Sequence, residues 1–218
     1  MADVARPVLE PDDRHHLERV LRLRPADVVT VADGRGAWRR CTLGTGGVLA
    51  LVGEVVHQPR PAPAITIAFA VTKGERPELA VQKLTELGVD RIVAFSAERS
   101  VARWEGERAV RHVERLRRVA REAAVQSRRS WLPDVALLAT LAAILGEPGA
   151  VVADPRGGRP SLTSPTIVVG PEGGFSDRER SLAQGAVRLG PHVLRAETAA
   201  ITAGAILAAL RDGLADPA

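Results

Sequence analysis

Two short runs constrain the fold more than any other feature of the chain. AITIAFAV (Ala64 to Val71) and TIVVG (Thr166 to Gly170) carry no charged side chain. A strand with one wet face alternates polar and apolar residues. A continuous apolar run fits a strand covered on both faces, as in a parallel sheet. Each run leads into a turn and then a helix signal. After the first comes RPELAVQKLTELG, where Pro77 suits a first helical turn and Gly88 a C-terminal cap. After the second, Ser176 and Glu179 form a capping-box pattern. RIVAFSA, AVVAD and AVRLG read as further strands, and LLATLAAIL as a short helix. Residues 107–126 read as a long charged helix, and 196–212 as the last helix. This alternation predicts an α/β sandwich around a mostly parallel sheet.

The N-terminal part reads differently. HQPRPAPA (His57 to Ala64) holds three prolines and predicts a stiff extended linker. It divides a small part, residues 1–60, from a larger one, residues 65–218. PDDRHHLERVLRL predicts a helix capped by Asp12 or Asp13, with His16, Leu17, Val20 and Leu21 on one face. In DVVTVADGRGAWRRCTL, Asp33-Gly34 marks a hairpin between two alternating segments. GGVLALVGEVV supplies a further strand or two, so a small β-barrel is predicted.

Hydrophobic residues make up 45% but aromatics only 3%, so the core must be built from Val, Leu, Ile and Ala. The net charge is +4, and Lys73 and Lys83 are the only lysines among the basic residues. Arginine suits bidentate phosphate contact, which points toward nucleic acid. Cys41 is the only cysteine. It excludes an intrachain disulfide and a cysteine-cluster metal site, and it fits a reducing, cytoplasmic setting. MADVARPVLEPDD lacks the apolar core of a signal peptide. Ala199 to Leu210 is too short to span a bilayer, so no membrane role is expected. The histidines show no metal-ligand spacing with carboxylates, and no metal is assigned.

Ligands of parallel α/β sheets sit at the carboxyl ends of strands. VVGPEGG and, about twenty residues on, VRLGPHVLRAET stand at such ends. Their glycines let a ligand lie on bare backbone, because no Cβ intervenes. The two turns are expected to lie close together if their strands are neighbours. Neither matches a dinucleotide fingerprint or a P-loop.

KGERPELAVQKLTELGVDRIVAFSAERS, REAAVQSRRSWLPDV, VVGPEGGFSDRE and LGPHVLRAETAAITAGAIL together resemble the bacterial 16S rRNA uridine-N3 methyltransferase family of the SPOUT superfamily. HHLERVLRLRPADVVTVADGRG resembles its N-terminal PUA-like RNA-binding domain. The resemblance implies a C-terminal domain tied into a deep trefoil knot that holds S-adenosylmethionine (SAM). It also implies a homodimer acting on small-subunit ribosomal RNA. One cofactor loop would be Gly170, Pro171, Glu172, Gly173 and Gly174. The other would be Leu189, Gly190, Leu194, Arg195, Glu197 and Thr198. Arg195 would stabilise charge developing on the uracil oxygens. Glu197 would orient Arg195 or accept the N3 proton, with Glu172 as the second choice of base.

The target imide edge pairs in a helix, so the base must be presented unpaired or flipped out. Lys73 and Arg76 after the first sheet strand, Arg99 and Arg103 after the second, and Arg128 and Arg129 in QSRRS would contact RNA at the site's edge. Arg6, His15, Arg19, Arg22 and Arg24 would do so from the small domain. One block departs from the family pattern: VQSRR stands where EQSGR is expected, with Val125 and Arg128 replacing an acid and a glycine. Two other readings remain at this point. One is a SPOUT methyltransferase for a different RNA or base atom, and the other a non-catalytic ribosome-assembly factor.

Overall fold

The computed structural model describes residues 3–72, 74, 76–136 and 140–216. Its contacts divide the chain into two compact units. The first runs through Arg60 and also takes in Arg128–Trp131. The second holds the rest.

In the first unit, α1 (Pro11–His15) widens into a π turn over His16–Val20. Leu21 donates its N–H to the His16 carbonyl at 2.9 Å. This wider winding takes side chains off the 3.6-residue stripe. The expected apolar face is therefore not a buried one: Val20 and Leu21 are 60% and 52% exposed. Strands β1 (Val28–Ala32), β2 (Ala37–Leu43) and β3 (Leu49–His57) form an antiparallel sheet in that order. The Asp33-Gly34 turn joins β1 to β2 as expected. Asp33 Oδ1 accepts the N–H groups of Arg35 and Ala37, and Gly34 takes a positive φ of 73°. Gly36 is needed for a different reason. A Cβ there would stand 2.6 Å from the Trp131 ring and from the Gln58 carbonyl. Arg128 adopts a φ of 59°, the left-handed conformation that glycine takes without strain.

The second unit is built on six strands. In chain order the elements are β4 (Thr66–Ala70), α2 (Arg76–Glu86), β5 (Arg91–Phe95), α3 (Gly106–Gln126), β6 (Asp134–Ala136) and α4 (Leu141–Leu145). They continue with β7 (Ala150–Gly158), β8 (Thr166–Val169), α5 (Asp177–Ser181), β9 (Ala186–Val187) and α6 (Ala196–Arg211). The sheet order is β6-β5-β4-β8-β7-β9, and every pairing is parallel. The two charge-free runs, β4 and β8, pair at its centre. Both of their faces are covered, as the sequence requires. Ile67, Phe69, Ile92, Ile167 and Val169 pack with α2, α3 and α6. Ala68, Ala70, Val93, Phe95 and Val168 pack with α4. Burial of each larger side chain contributes about 1.5–3 kcal/mol. Part of the segment expected as a helix over LLATLAAIL, residues 137–139, lies outside the described residues.

Two features fix α6 against the sheet. A Cβ on Gly204 would come 2.5 Å from Leu84 Cδ2, so α6 and α2 approach as closely as glycine allows. Arg211, 5% exposed at its side chain, pairs with Asp90 Oδ2 at 2.6 Å and donates to the Gly88 carbonyl at 3.0 Å. The same Asp90 oxygen accepts the Ile65 N–H.

Candidate active site

β8 ends at Val169 and the chain turns through Gly170-Pro171-Glu172-Gly173-Gly174. A Cβ on Gly170 would meet the Phe175 ring at 3.0 Å, and Gly174 takes φ 67°. Beyond the turn the capping box forms: Ser176 Oγ accepts the Glu179 N–H at 3.1 Å, and Glu179 Oε2 accepts the Ser176 N–H at 2.9 Å. Glu179 is 4% exposed, and its other oxygen accepts the Glu98 N–H at 2.8 Å. One buried carboxylate thus ties the glycine turn to the carboxyl end of β5. Arg99, next in that chain, donates to the Gly173 carbonyl at 3.2 Å.

The second turn follows β9. Its strand does not neighbour β8, because β7 lies between them. The condition set for closeness, neighbouring strands, is therefore not met, yet the turns still converge. Beyond β9 the chain leads into α6, which packs against β4 and β8. Arg76, at the start of α2, marks the meeting point. Its Nη1 donates to Glu172 Oε1 at 3.1 Å, and its Nε lies 3.7 Å from Glu197 Oε1. Each glycine turn supplies one of these carboxylates.

Leu189 and Leu194 pack against the core, while Gly190, Arg195 and Thr198 are exposed. A Cβ on Gly190 would meet no atom within 4 Å. Glu197 is only 12% exposed at its side chain, and its Oε2 is buried with no hydrogen-bond partner among the described residues. Its cationic neighbour is Arg76. Among the described residues Arg195 forms no ion pair, so the orienting role expected of Glu197 toward Arg195 is not what the geometry shows. The unpaired acceptor at Glu197 fits a ligand that brings a hydrogen-bond donor, since a buried acceptor left unpaired is costly.

The residues expected to touch RNA divide between the two units. Arg99 and Arg103 are exposed on the segment after β5, at the sheet's carboxyl edge. Arg76 is committed to the two glutamates. Lys73 lies outside the described residues. Arg128 and Arg129 belong to the first unit. Arg6, His15, Arg19, Arg22 and Arg24 are all exposed there.

The structure adds residues that sequence reasoning missed. Midway along β7, Asp154 is held by Arg156 Nε at 3.1 Å and Arg180 Nη1 at 2.6 Å. Hydrogen bonds from the Arg156 side chain and backbone, foremost, bring the Asp154 carboxyl down to about 2. The signal was present: DPRGG, which follows the apolar AVVA, concentrates charge and glycine in the second half of β7. Among the described residues no group of three or more His, Cys, Asp or Glu is placed to hold a metal. No described helix is long and apolar enough to cross a membrane.

Comparison with known proteins decides the family. The model of an RNA methyltransferase domain matches residues 58–208, and that of an RNA methyltransferase PUA domain matches residues 9–50. The ribosomal RNA small subunit methyltransferase E of Mycobacterium tuberculosis is 35% identical over 220 residues, covering 90% of this chain and 83% of that protein. The chain belongs to the ribosomal RNA small subunit methyltransferase E family. The Bacillus subtilis member of this methyltransferase E family is 31% identical over 218 residues, with coverage of 88% and 85%. A member from Neisseria gonorrhoeae, crystallised with S-adenosyl methionine, superposes with a TM-score of 0.76 at 28% identity over 90% of this chain and 89% of that one. A Legionella pneumophila methyltransferase in complex with SAM gives a TM-score of 0.79 at 29% identity, covering 92% and 90%.

Proposed function

We propose that this chain transfers a methyl group from SAM to N3 of a uridine in small-subunit ribosomal RNA. The observation that carries this reading is the convergence of the two glycine-bearing turns on Arg76, with the buried Glu197 Oε2 left without a partner. Membership in the methyltransferase E family supports it.

When bound, SAM supplies a methyl group already activated on a sulfonium, so the site's task is alignment. Gly170, Pro171, Glu172, Gly173 and Gly174 offer backbone groups on one side of the donor. Leu189, Gly190, Leu194 and Thr198 offer an apolar wall and open backbone on the other. The uridine must lose its N3 proton as the new N–C bond forms. Glu197 is the group we assign to take it: the carboxylate is sheltered, and Arg76 holds its other oxygen. Arg195, exposed at the first residue of the α6 cap, is free to place its guanidinium against the uracil oxygens as they gain charge. Glu172, exposed and paired with Arg76, keeps Arg76 in place.

The PUA-like unit, residues 1–60, would grip RNA through Arg6, His15, Arg19, Arg22 and Arg24, while residues 65–218 form the catalytic domain. The half-exposed apolar side of α6, with Ile201, Ala205, Ile206 and Ala209, suits a twin helix in a homodimer. The trefoil knot and a cytoplasmic location belong to the same proposal.

The test is incubation of the purified protein with unmodified small-subunit rRNA and isotope-labelled SAM, then mass spectrometry of the nucleosides. Labelled N3-methyluridine is expected. Label on another base or atom would change the substrate. SAM binding without any label would leave an assembly factor.

A further inference from the structure

A depression lies beside the first glycine turn, and the proposed transfer chemistry does not use it. It is a cavity of about 530 Å³ between the segment that follows β5 and the second half of β7. Arg99, Arg156 and Arg180 line it, with Asp154, Asp177 and Phe175. A volume of this size accommodates a ligand of nucleotide dimensions.

Its charges are organised rather than scattered. Asp154, 13% exposed at its side chain, grips Arg156 through Nε at 3.1 Å and Nη2 at 3.4 Å. Its Oδ2 also takes Arg180 Nη1 at 2.6 Å, and Arg180 Nε reaches the Phe175 carbonyl at 3.3 Å. The carboxyl, held down to about 2, stays ionised at neutral pH and keeps its attraction for both guanidiniums. Arg99 is fixed from the other side by the Gly173 carbonyl. Three guanidiniums against two carboxylates leave one net positive charge. Arg156 remains 79% exposed at its side chain, so its outer N–H groups face incoming ligand. Pre-oriented guanidinium forks match phosphate oxygens in a bidentate way. Phe175 and the neighbouring Pro155 supply an apolar side, and Asp177 an acceptor for base N–H groups.

We infer that this cavity receives a nucleotide of the RNA substrate, its phosphate on Arg156 and Arg99 and its ring toward Phe175. Because Arg99 also holds Gly173, the RNA strand is anchored directly beside the cofactor turn. Asp154 acts as a positioning residue for the two guanidiniums. The inference deepens the methyltransferase reading and rests on it for the identity of the strand.

The experiment measures binding of a single-stranded, uridine-containing RNA oligonucleotide by fluorescence anisotropy over a range of salt. It compares the wild type, Arg156→Gln, and Arg118→Gln as a control, since Arg118 is exposed on α3 away from this cavity. SAM binding is measured on the same three proteins by calorimetry. Arg156→Gln is expected to weaken RNA at least about tenfold and to flatten the log–log salt slope by about 0.7, one phosphate contact. Arg118→Gln should change neither quantity, and SAM affinity should stay equal in all three. Equal RNA binding by the two variants would overturn the inference. So would loss of SAM binding in Arg156→Gln, which would give the cavity to the donor. RNA binding that depends on Arg156 in a protein that methylates no rRNA would keep the cavity and remove the reaction.

Discussion

Glu197 holds one carboxylate oxygen near Arg76 and leaves the other sealed from solvent without a donor. A protein tolerates such an atom where a ligand or a proton completes it. Glu197→Gln keeps the shape and removes the basic oxygen. Its single-turnover methylation rate should fall about 10²-fold or more, with SAM affinity close to wild type. A wild-type rate would take the proton-accepting role away from Glu197. This residue was legible in the sequence as a site member, because LRAET follows a strand end. Its partner was not. Arg76 stands 121 residues before Glu197 and 96 before Glu172, and no local pattern carries contacts of that range. Arg128 is the opposite case. The sequence showed a departure where glycine was expected, and the backbone there has the φ of a glycine.

At the scale of elements, local signals were read well and short strands poorly. The capping box at Ser176, the Asp33-Gly34 hairpin and the helix ending at Gly88 each depend on a few adjacent residues, and all three formed. β6 spans only three residues, too short for a periodic signal, and was not read; β9 was read from AVRLG, but only Ala186–Val187 pair as strand. The order β8-β7-β9, which separates the strands that carry the glycine turns, was not legible in the sequence, because pairing order is a long-range property. The docking of α6 was equally hidden. Arg211 and Asp90 stand 121 residues apart and form a buried pair, 5% and 3% exposed. Removing one partner strands a buried charge, so Arg211→Ala should cost about 3–5 kcal/mol in denaturant unfolding. A loss below about 1 kcal/mol would mean that the pair is solvated in solution.

For the whole molecule, the sequence and structure describe one division of labour. A small β unit carries exposed arginines, and a parallel α/β unit brings two backbone turns to its carboxyl edge. Composition supplied the arginine bias and the exclusion of disulfides. The family resemblance supplied the reaction, which no periodicity encodes. The central claim is that the methyl donor lies on bare main chain between those turns. Gly190 gives the cleanest handle, because a side chain there would meet no protein atom within 4 Å of its Cβ. Titration calorimetry of SAM into Gly190→Val, with the thermal midpoint read on the same sample, tests the claim most directly. The account predicts an unchanged midpoint and no SAM binding at micromolar cofactor. A folded Gly190→Val that binds SAM as tightly as the wild type would contradict it.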